Sequence, residues 1–168
     1  MSAGLIPNEF EIRRKGFDIL IEAAKQMSDT KFVLIGLEDS IKERFEKLNL
    51  KNLELYNIVS YDELINHYSR ARVFAQISMF EGLPSTICEA MLCECIPVGS
   101  NVNGIPGIID GSGFIIKERN LDETVSTLKK AVNSPEEMGK RARQHIIDHF
   151  SIQKREQAVN NVVDSLLN

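Results

Sequence analysis

Residues 73–91, Val-Phe-Ala-Gln-Ile-Ser-Met-Phe-Glu-Gly-Leu-Pro-Ser-Thr-Ile-Cys-Glu-Ala-Met, decide the fold. Val73 to Ile77 has strand character, Ser78 to Leu83 reads as a loop, and Pro84 suits the first turn of the helix that follows. The same unit recurs on either side. Phe32 to Gly36 is continuously apolar, as a strand buried on both faces should be. Leu53 to Tyr56, Ile96 to Gly99 and Phe114 to Ile116 are similar runs, although Pro97 is acceptable only near a strand's start. Between them lie helical patterns: Phe17, Leu20, Ala24 and Met27; Ile41, Phe45 and Leu48; Leu121, Val125, Leu128 and Val132. Ser60 with Glu63 fits a capping box, and Ser134-Pro135-Glu136-Glu137 fits one with proline at the first helical position. Strands separated by single helices pair in parallel through right-handed crossovers, so the expected fold class is α/β, a doubly wound parallel sheet. Its ligand site is expected outside the carboxyl ends of the strands.

The chain has 168 residues, enough for one domain and too few for two, and residues 1–168 read as that single domain. It closes with helical segments, the last carrying an apolar stripe at Ala158, Val159, Val162, Val163 and Leu166. At the other end, Ser2 to Ile6 reads as a first strand with Gly4 at its turn. So few residues precede it that the chain is expected to begin close to a domain boundary.

Apolar residues make up 43% and charged ones 26%, a balance that excludes a disordered or low-complexity chain. A net charge of −4 argues against non-specific nucleic-acid binding. There is no apolar stretch of the ~18 residues that a transmembrane span needs, and no secretory leader pattern, so a cytoplasmic location is expected. Cys88, Cys93 and Cys95 crowd one apolar segment away from His67, His145 and His149. Buried thiols are therefore expected there rather than a metal site.

Chemistry is concentrated between Ser78 and Met91. Gly82 lets the backbone approach a ligand closely. The free N–H groups of Ser85, Thr86 and their neighbours would face the loop mouth with the helix dipole behind them, which favours a phosphate. Glu81 and Glu89 could accept hydrogens from hydroxyl groups, so a ligand with a central phosphate and hydroxyls at both ends would satisfy the segment. The same residues also fit a helix start whose acidic groups are stabilised by its own dipole, with no ligand involved.

The spacing E-x7-E within S-x-F-E-G-L-P-S-T-x-x-E-A-M, residues 78–91, resembles the donor-site signature of retaining nucleotide-sugar glycosyltransferases, the glycosyl transferases group 1 family. Lys15-Gly16-Phe17-Asp18-Ile19-Leu20-Ile21-Glu22-Ala23 is similar to that family's K-G-x-x-x-L-I-E-A segment, and Phe32 to Gly36 to its next strand. Ile96-Pro97-Val98 followed by Asn103-Gly104-Ile105-Pro106 is similar to its P-V-x-x-S…G-G-I-P passage. The resemblance spans nearly the whole chain. It implies a Rossmann-like lobe of the two-lobed GT-B architecture, the C-terminal, donor-binding one, with extra C-terminal helices and an N-terminal acceptor lobe absent from this sequence.

The resemblance also implies roles. Glu81 would bind hydroxyls of the transferred sugar and Glu89 the ribose hydroxyls. Backbone N–H groups of Leu83, Ser85 and Thr86, beside Gly82 and Pro84, would cradle the diphosphate. Lys15 would neutralise the diphosphate as it leaves, where a fixed cation stabilises developing charge. Ile58, with Asn57 and Val59, would lie against the base, UDP- or GDP-linked. No cofactor or metal is expected, the nucleotide sugar being a substrate, and the full-length enzyme would be cytoplasmic or peripheral at the inner membrane face. Two departures stand out. Leu5 follows Gly4 where the family carries an arginine, which leaves Arg13 or Arg14 to reach the diphosphate across a long loop from Gly4 to Lys15. Glu94 and an extra residue precede Pro97. A non-catalytic nucleotide-sugar-binding module is the alternative function. An NAD-dependent oxidoreductase is disfavoured because no G-x-G-x-x-G opens the first helix. Without its acceptor lobe, the chain is expected to bind donor but to transfer little or no sugar.

Overall fold

A computed structural model describes residues 1–167. Among them, six strands alternate with helices. In chain order the elements are β1 (Ser2–Ile6), α1 (Glu9–Lys15), α2 (Phe17–Gln26), β2 (Phe32–Leu37), α3 (Asp39–Glu46), β3 (Leu53–Tyr56), α4 (Tyr61–Arg70) and β4 (Val73–Gln76). There follow α5 (Ser85–Leu92), β5 (Ile96–Ser100), α6 (Ile105–Ile109), β6 (Phe114–Ile116), α7 (Leu121–Val132), α8 (Glu137–His149) and α9 (Ile152–Leu167).

All the strand pairs are parallel, in two runs, β1-β2-β3 and β4-β5-β6. The runs meet where the Met1 nitrogen donates to the Val73 carbonyl (2.6 Å) and the Ala75 N–H donates to the Met1 carbonyl (2.8 Å). The composite order is therefore β3-β2-β1-β4-β5-β6, with the winding reversing between β1 and β4. In a doubly wound sheet that reversal opens a crevice at the carboxyl ends of the two central strands. The four residues of β4 and five of β5 are all buried, as helices on both faces require, whereas β3 at the edge is only half-buried. Pro97 occupies the second position of β5, opposite Phe74, near the strand's start as expected.

Two cores fill the layers. One joins α1, α2, α3 and α7 to the sheet through Ile12, Phe17, Leu20, Phe45, Ile77 and Leu128; the other joins α4, α5, α6 and α8 through Tyr68, Phe74, Ile87, Met91, Ile105 and Ile146.

Several local expectations change. Gly4 lies within β1 rather than at its turn, and the stretch before Lys15 is not a loop but the helix α1. Its signals are a cap and a charge gradient. Asn8 accepts a hydrogen bond from the Glu11 N–H, Glu9 and Glu11 occupy the first turn, and Arg13, Arg14 and Lys15 the last. Pro84 is the residue before α5, not inside its first turn. The capping box at Ser60 forms with Glu63, but the one at Ser134 does not: its hydroxyl donates back to the Lys130 carbonyl and α8 starts at Glu137. Of the three thiols only Cys95 is buried, pushed up by burial to about 12 and donating to the Tyr68 and Ala71 carbonyls; Cys88 and Cys93 are half-buried. On α9, Val159, Val162, Val163 and Leu166 are exposed, so the stripe does not pack on either core.

Gly16 closes α1 and opens α2 in the left-handed region at φ 80°, and a Cβ there would stand 2.2 Å from the Ile77 carbonyl oxygen. Gly16→Ala is expected to cost about 2–4 kcal/mol and to lower the thermal midpoint by roughly 5–15 °C. Gly111→Ala, with φ 77° but open space around the added carbon, should lose only about 1 kcal/mol. Equal losses in a melting experiment would mean that strain, not the approach to Ile77, is what glycine relieves at position 16.

Candidate functional site

The site lies at the crevice between β1 and β4. Gly16 brings the end of α1 against the end of β4, and the Met79 N–H donates to the Arg14 carbonyl at 2.7 Å. Arg119, from the segment between β6 and α7, secures the same junction. It donates to the Arg13 carbonyl (2.8 Å), to Asp18 (2.6 Å) and to the Ile77 carbonyl (3.4 Å). Lys15 is thereby carried to Glu81 across 66 positions of sequence, and its Nζ donates to Glu81 Oε1 at 2.6 Å.

That one carboxylate oxygen is the hub. Ser78 Oγ donates to it at 2.9 Å, Gln76 Nε2 at 3.0 Å, and Arg14 Nη1 stands 3.7 Å away. The Glu81 side chain is 10% exposed, so its pairing is partly shielded from water. The other oxygen, Oε2, accepts no hydrogen bond among the described residues. Gln76, itself buried, also accepts from Thr86 Oγ1 at 3.2 Å and so ties Glu81 to the first turn of α5. Asn103 Oδ1 accepts from the Glu81 N–H (3.3 Å), and the Gly104 N–H donates to the Gly82 carbonyl (3.2 Å), which braces the loop from below.

Of the three consecutive cations, Arg14 and Lys15 reach the hub. Arg14 holds Glu11 through both its Nε and Nη2 (2.6–2.9 Å), and this guanidinium keeps the Glu11 carboxyl below the usual carboxylate range. It also lies over the Phe80 ring, 5.2 Å from the centroid. Arg13 is exposed and faces away, lining a cavity with Asp18, Glu22 and Arg119. Leu5, where the arginine was missing, is 57% exposed. Arg14 is thus the cation beside Lys15.

Among the described residues no side chain caps α5, since Pro84 precedes it, so the first N–H groups of the helix, from Ser85 onward, face the loop mouth. Gly82 and Leu83 lie on the open side of the loop, and nothing lies within 4 Å of where a Gly82 Cβ would be. Glu89 lies three residues beyond Thr86 and four beyond Ser85 on the same helix face and is half-buried; its carboxylate makes no hydrogen bond or ion pair among the described residues. The buried Tyr68 hydroxyl has no partner among the described residues either; burial pushes that phenol up, and the Glu89 charge adds to the effect.

Ile58 does not join this cluster. It is 68% exposed on the loop after β3, on the same rim but three strand positions from β4, or roughly 14 Å at ordinary strand spacing. Asn57 is engaged structurally, donating to the Leu37 carbonyl (3.0 Å) and to Asp39 (2.7 Å).

Sequence reasoning missed Gln76, Ser78, Asn103 and Arg119. The polar Gln76 inside an apolar run was one visible signal and Ser78 three residues before Glu81 another; Asn103 and Arg119 join the site only in the folded chain. Gln76→Leu keeps the volume but removes the donor to Glu81 and the acceptor for Thr86. It should cost about 1–3 kcal/mol in urea denaturation. A change under about 0.5 kcal/mol would mean that the network adds nothing to stability.

Comparison with known proteins gives a consistent result. The family model described as glycosyl transferases group 1 matches residues 10–146. An uncharacterized glycosyltransferase of Methanocaldococcus jannaschii is 30% identical over 138 residues, covering 79% of this chain and 39% of that protein. Trehalose synthase of Thermococcus litoralis is 29% identical over 154 residues, covering 82% and 37%. Among solved structures, sucrose-phosphate synthase from Thermosynechococcus elongatus superposes with a TM-score of 0.78 at 19% identity, over 92% of this chain and 43% of that one, a likeness of fold. The chain therefore spans less than half the length of each.

Proposed function

The chain belongs to the glycosyl transferases group 1 family, and from that premise we propose that it is the donor-binding lobe of a retaining glycosyltransferase that uses a nucleoside-diphosphate sugar. The observation that carries this reading is the meeting of Lys15 and Arg14 with Glu81 beside the uncapped start of α5. Few ligands need cations, a helix N-terminus and hydroxyl acceptors together; a sugar linked to a nucleoside diphosphate needs all three.

In this reading the diphosphate lies on the N–H groups of Leu83, Ser85 and Thr86, near the dipole end of α5. Glu89, without a partner among the described residues and on the same helix face, receives the ribose hydroxyls. The free Oε2 of Glu81 receives hydroxyls of the sugar. During transfer the bond from the anomeric carbon to the phosphate oxygen breaks, and its electron pair stays on the diphosphate. The acceptor oxygen bonds to the same face of the sugar and its proton passes to the leaving phosphate. Lys15 and Arg14 stabilise the charge that grows there, which lowers the barrier more than it tightens donor binding. Ile58, on the rim beyond β3, offers an apolar face to the base. The acceptor is supplied by a second lobe, so this chain alone binds donor without turnover.

Calorimetric titration with UDP, GDP, ADP and NAD tests the reading. One nucleoside diphosphate is expected to bind with micromolar to millimolar affinity. Glu89→Ala and Lys15→Ala should each weaken it about tenfold, the equivalent of ~1.4 kcal/mol. Binding of NAD alone, or of no nucleoside diphosphate, overturns the reading; measurable sugar transfer by this chain overturns the need for a second lobe.

A further inference from the structure

Glu81 occupies, in this structure, the cation that the proposed function assigns to the diphosphate. Its Oε1 lies 2.6 Å from Lys15 Nζ and 3.7 Å from Arg14 Nη1, with both cationic side chains 17% exposed. Ser78 and Gln76 donate to the same oxygen, so the carboxylate is held in this position from the β4 side as well. We infer that Glu81 acts as an internal competitor for Lys15, so that the site discriminates against free nucleoside diphosphate and in favour of its sugar-loaded form. The inference rests on the donor-lobe reading and adds a specificity role to Glu81.

Charge compensation is the physical basis. Lys15 has three N–H donors but a single charge, so a diphosphate drawn to it while Glu81 stays in place sets two anions side by side on one cation, and their mutual repulsion weakens the hold of each. When a diphosphate draws Lys15 away, a carboxylate that is largely shielded from water loses its closest cation, and such a loss is costly unless other donors replace it. A nucleoside diphosphate brings no donor to Glu81. A nucleotide sugar does, because the sugar hydroxyls reach the carboxylate in the same binding event. Phosphate capture and sugar capture are thus coupled through the Lys15–Glu81 pair. After transfer the hydroxyls leave with the product, Glu81 regains Lys15, and the spent diphosphate is weakened in place. Arg14 takes a smaller part, because its guanidinium is already engaged by Glu11.

Titration of the full chain with UDP, GDP and ADP tests this in a four-way cycle of wild type, Glu81→Gln, Lys15→Met and the double variant. Removing the competing charge in Glu81→Gln should tighten the nucleoside diphosphate that binds by about tenfold. In the Lys15→Met background the same change should have an effect of about twofold or less, since the cation being contested is gone. Glu81→Asp keeps the charge but withdraws it from Lys15 and should give an intermediate gain; far-ultraviolet circular dichroism and melting confirm that each variant is folded. Unchanged or weaker binding in Glu81→Gln overturns the inference. A gain of equal size with and without Lys15 also overturns it, since that would be general repulsion rather than competition for one cation. In both cases a nucleoside diphosphate that binds wild type and is weakened by Glu89→Ala leaves the donor-lobe reading standing. No binding by any variant overturns both.

Discussion

The approach of the α1–α2 junction to the end of β4 is the constraint on which the site depends. A backbone carbonyl at Ile77 and a backbone turn at Gly16 come so close that no Cβ fits between them. The turn ends α1, and the last residue of α1 is Lys15; the carbonyl belongs to the residue that follows β4, and the loop beyond it carries Glu81. A contact between two main chains therefore sets the distance between two side chains. Arg119 and the Met79–Arg14 hydrogen bond hold the same junction from other directions. Three independent restraints act on one place, and a long flexible lysine is thereby delivered to a defined oxygen.

The sheet order explains why these elements are available to one another. β1 and β4 are neighbours although two strands and four helices intervene in the chain, because the winding reverses there. Segments leaving the two strands in the same direction diverge to opposite faces and leave a crevice between them. α1 lines one side and the Ser78–Pro84 loop the other. The β5–α6 segment braces the loop through Asn103 and Gly104.

Much of this was legible in the sequence, for physical reasons that differ from residue to residue. β2, β4 and β5 announce themselves because a strand buried on both faces must be apolar throughout. Glu81 and Glu89 are legible because a strand, a loop with glycine and a helix start fix where each one stands. α1 was not, because its two apolar residues, Phe10 and Ile12, stand two positions apart and only Ile12 is buried, so no helical periodicity emerges. Its cap at Asn8 and its charge gradient were the available signals. Ser134 shows the opposite error: a good local cap lost to the Lys130 carbonyl, which the end of α7 leaves without an intrahelical partner. Gln76 and Ser78 from the end of β4 and Asn103 from the end of β5 converge on Glu81, and no local pattern encodes the contribution from β5.

Under the proposed function, the charge inventory of the crevice favours a nucleotide sugar over a simple phosphate. Arg14 and Lys15 stand beside two carboxylates, those of Glu11 and Glu81, which already engage both cations, while Glu89 adds a third negative charge on α5. A free phosphate meets cations that are spoken for and a residual negative charge; only the α5 N-terminus offers it anything uncompensated. A ligand that carries hydroxyls on both sides of its phosphates meets a different surface. Its hydroxyls give Glu81 and Glu89 the donors they lack, and that releases the cations to the phosphates. In the proposed reading the same acidic residues that repel a bare anion thus become the reason for binding a larger one, and selectivity follows from the balance of charges rather than from the shape of the crevice.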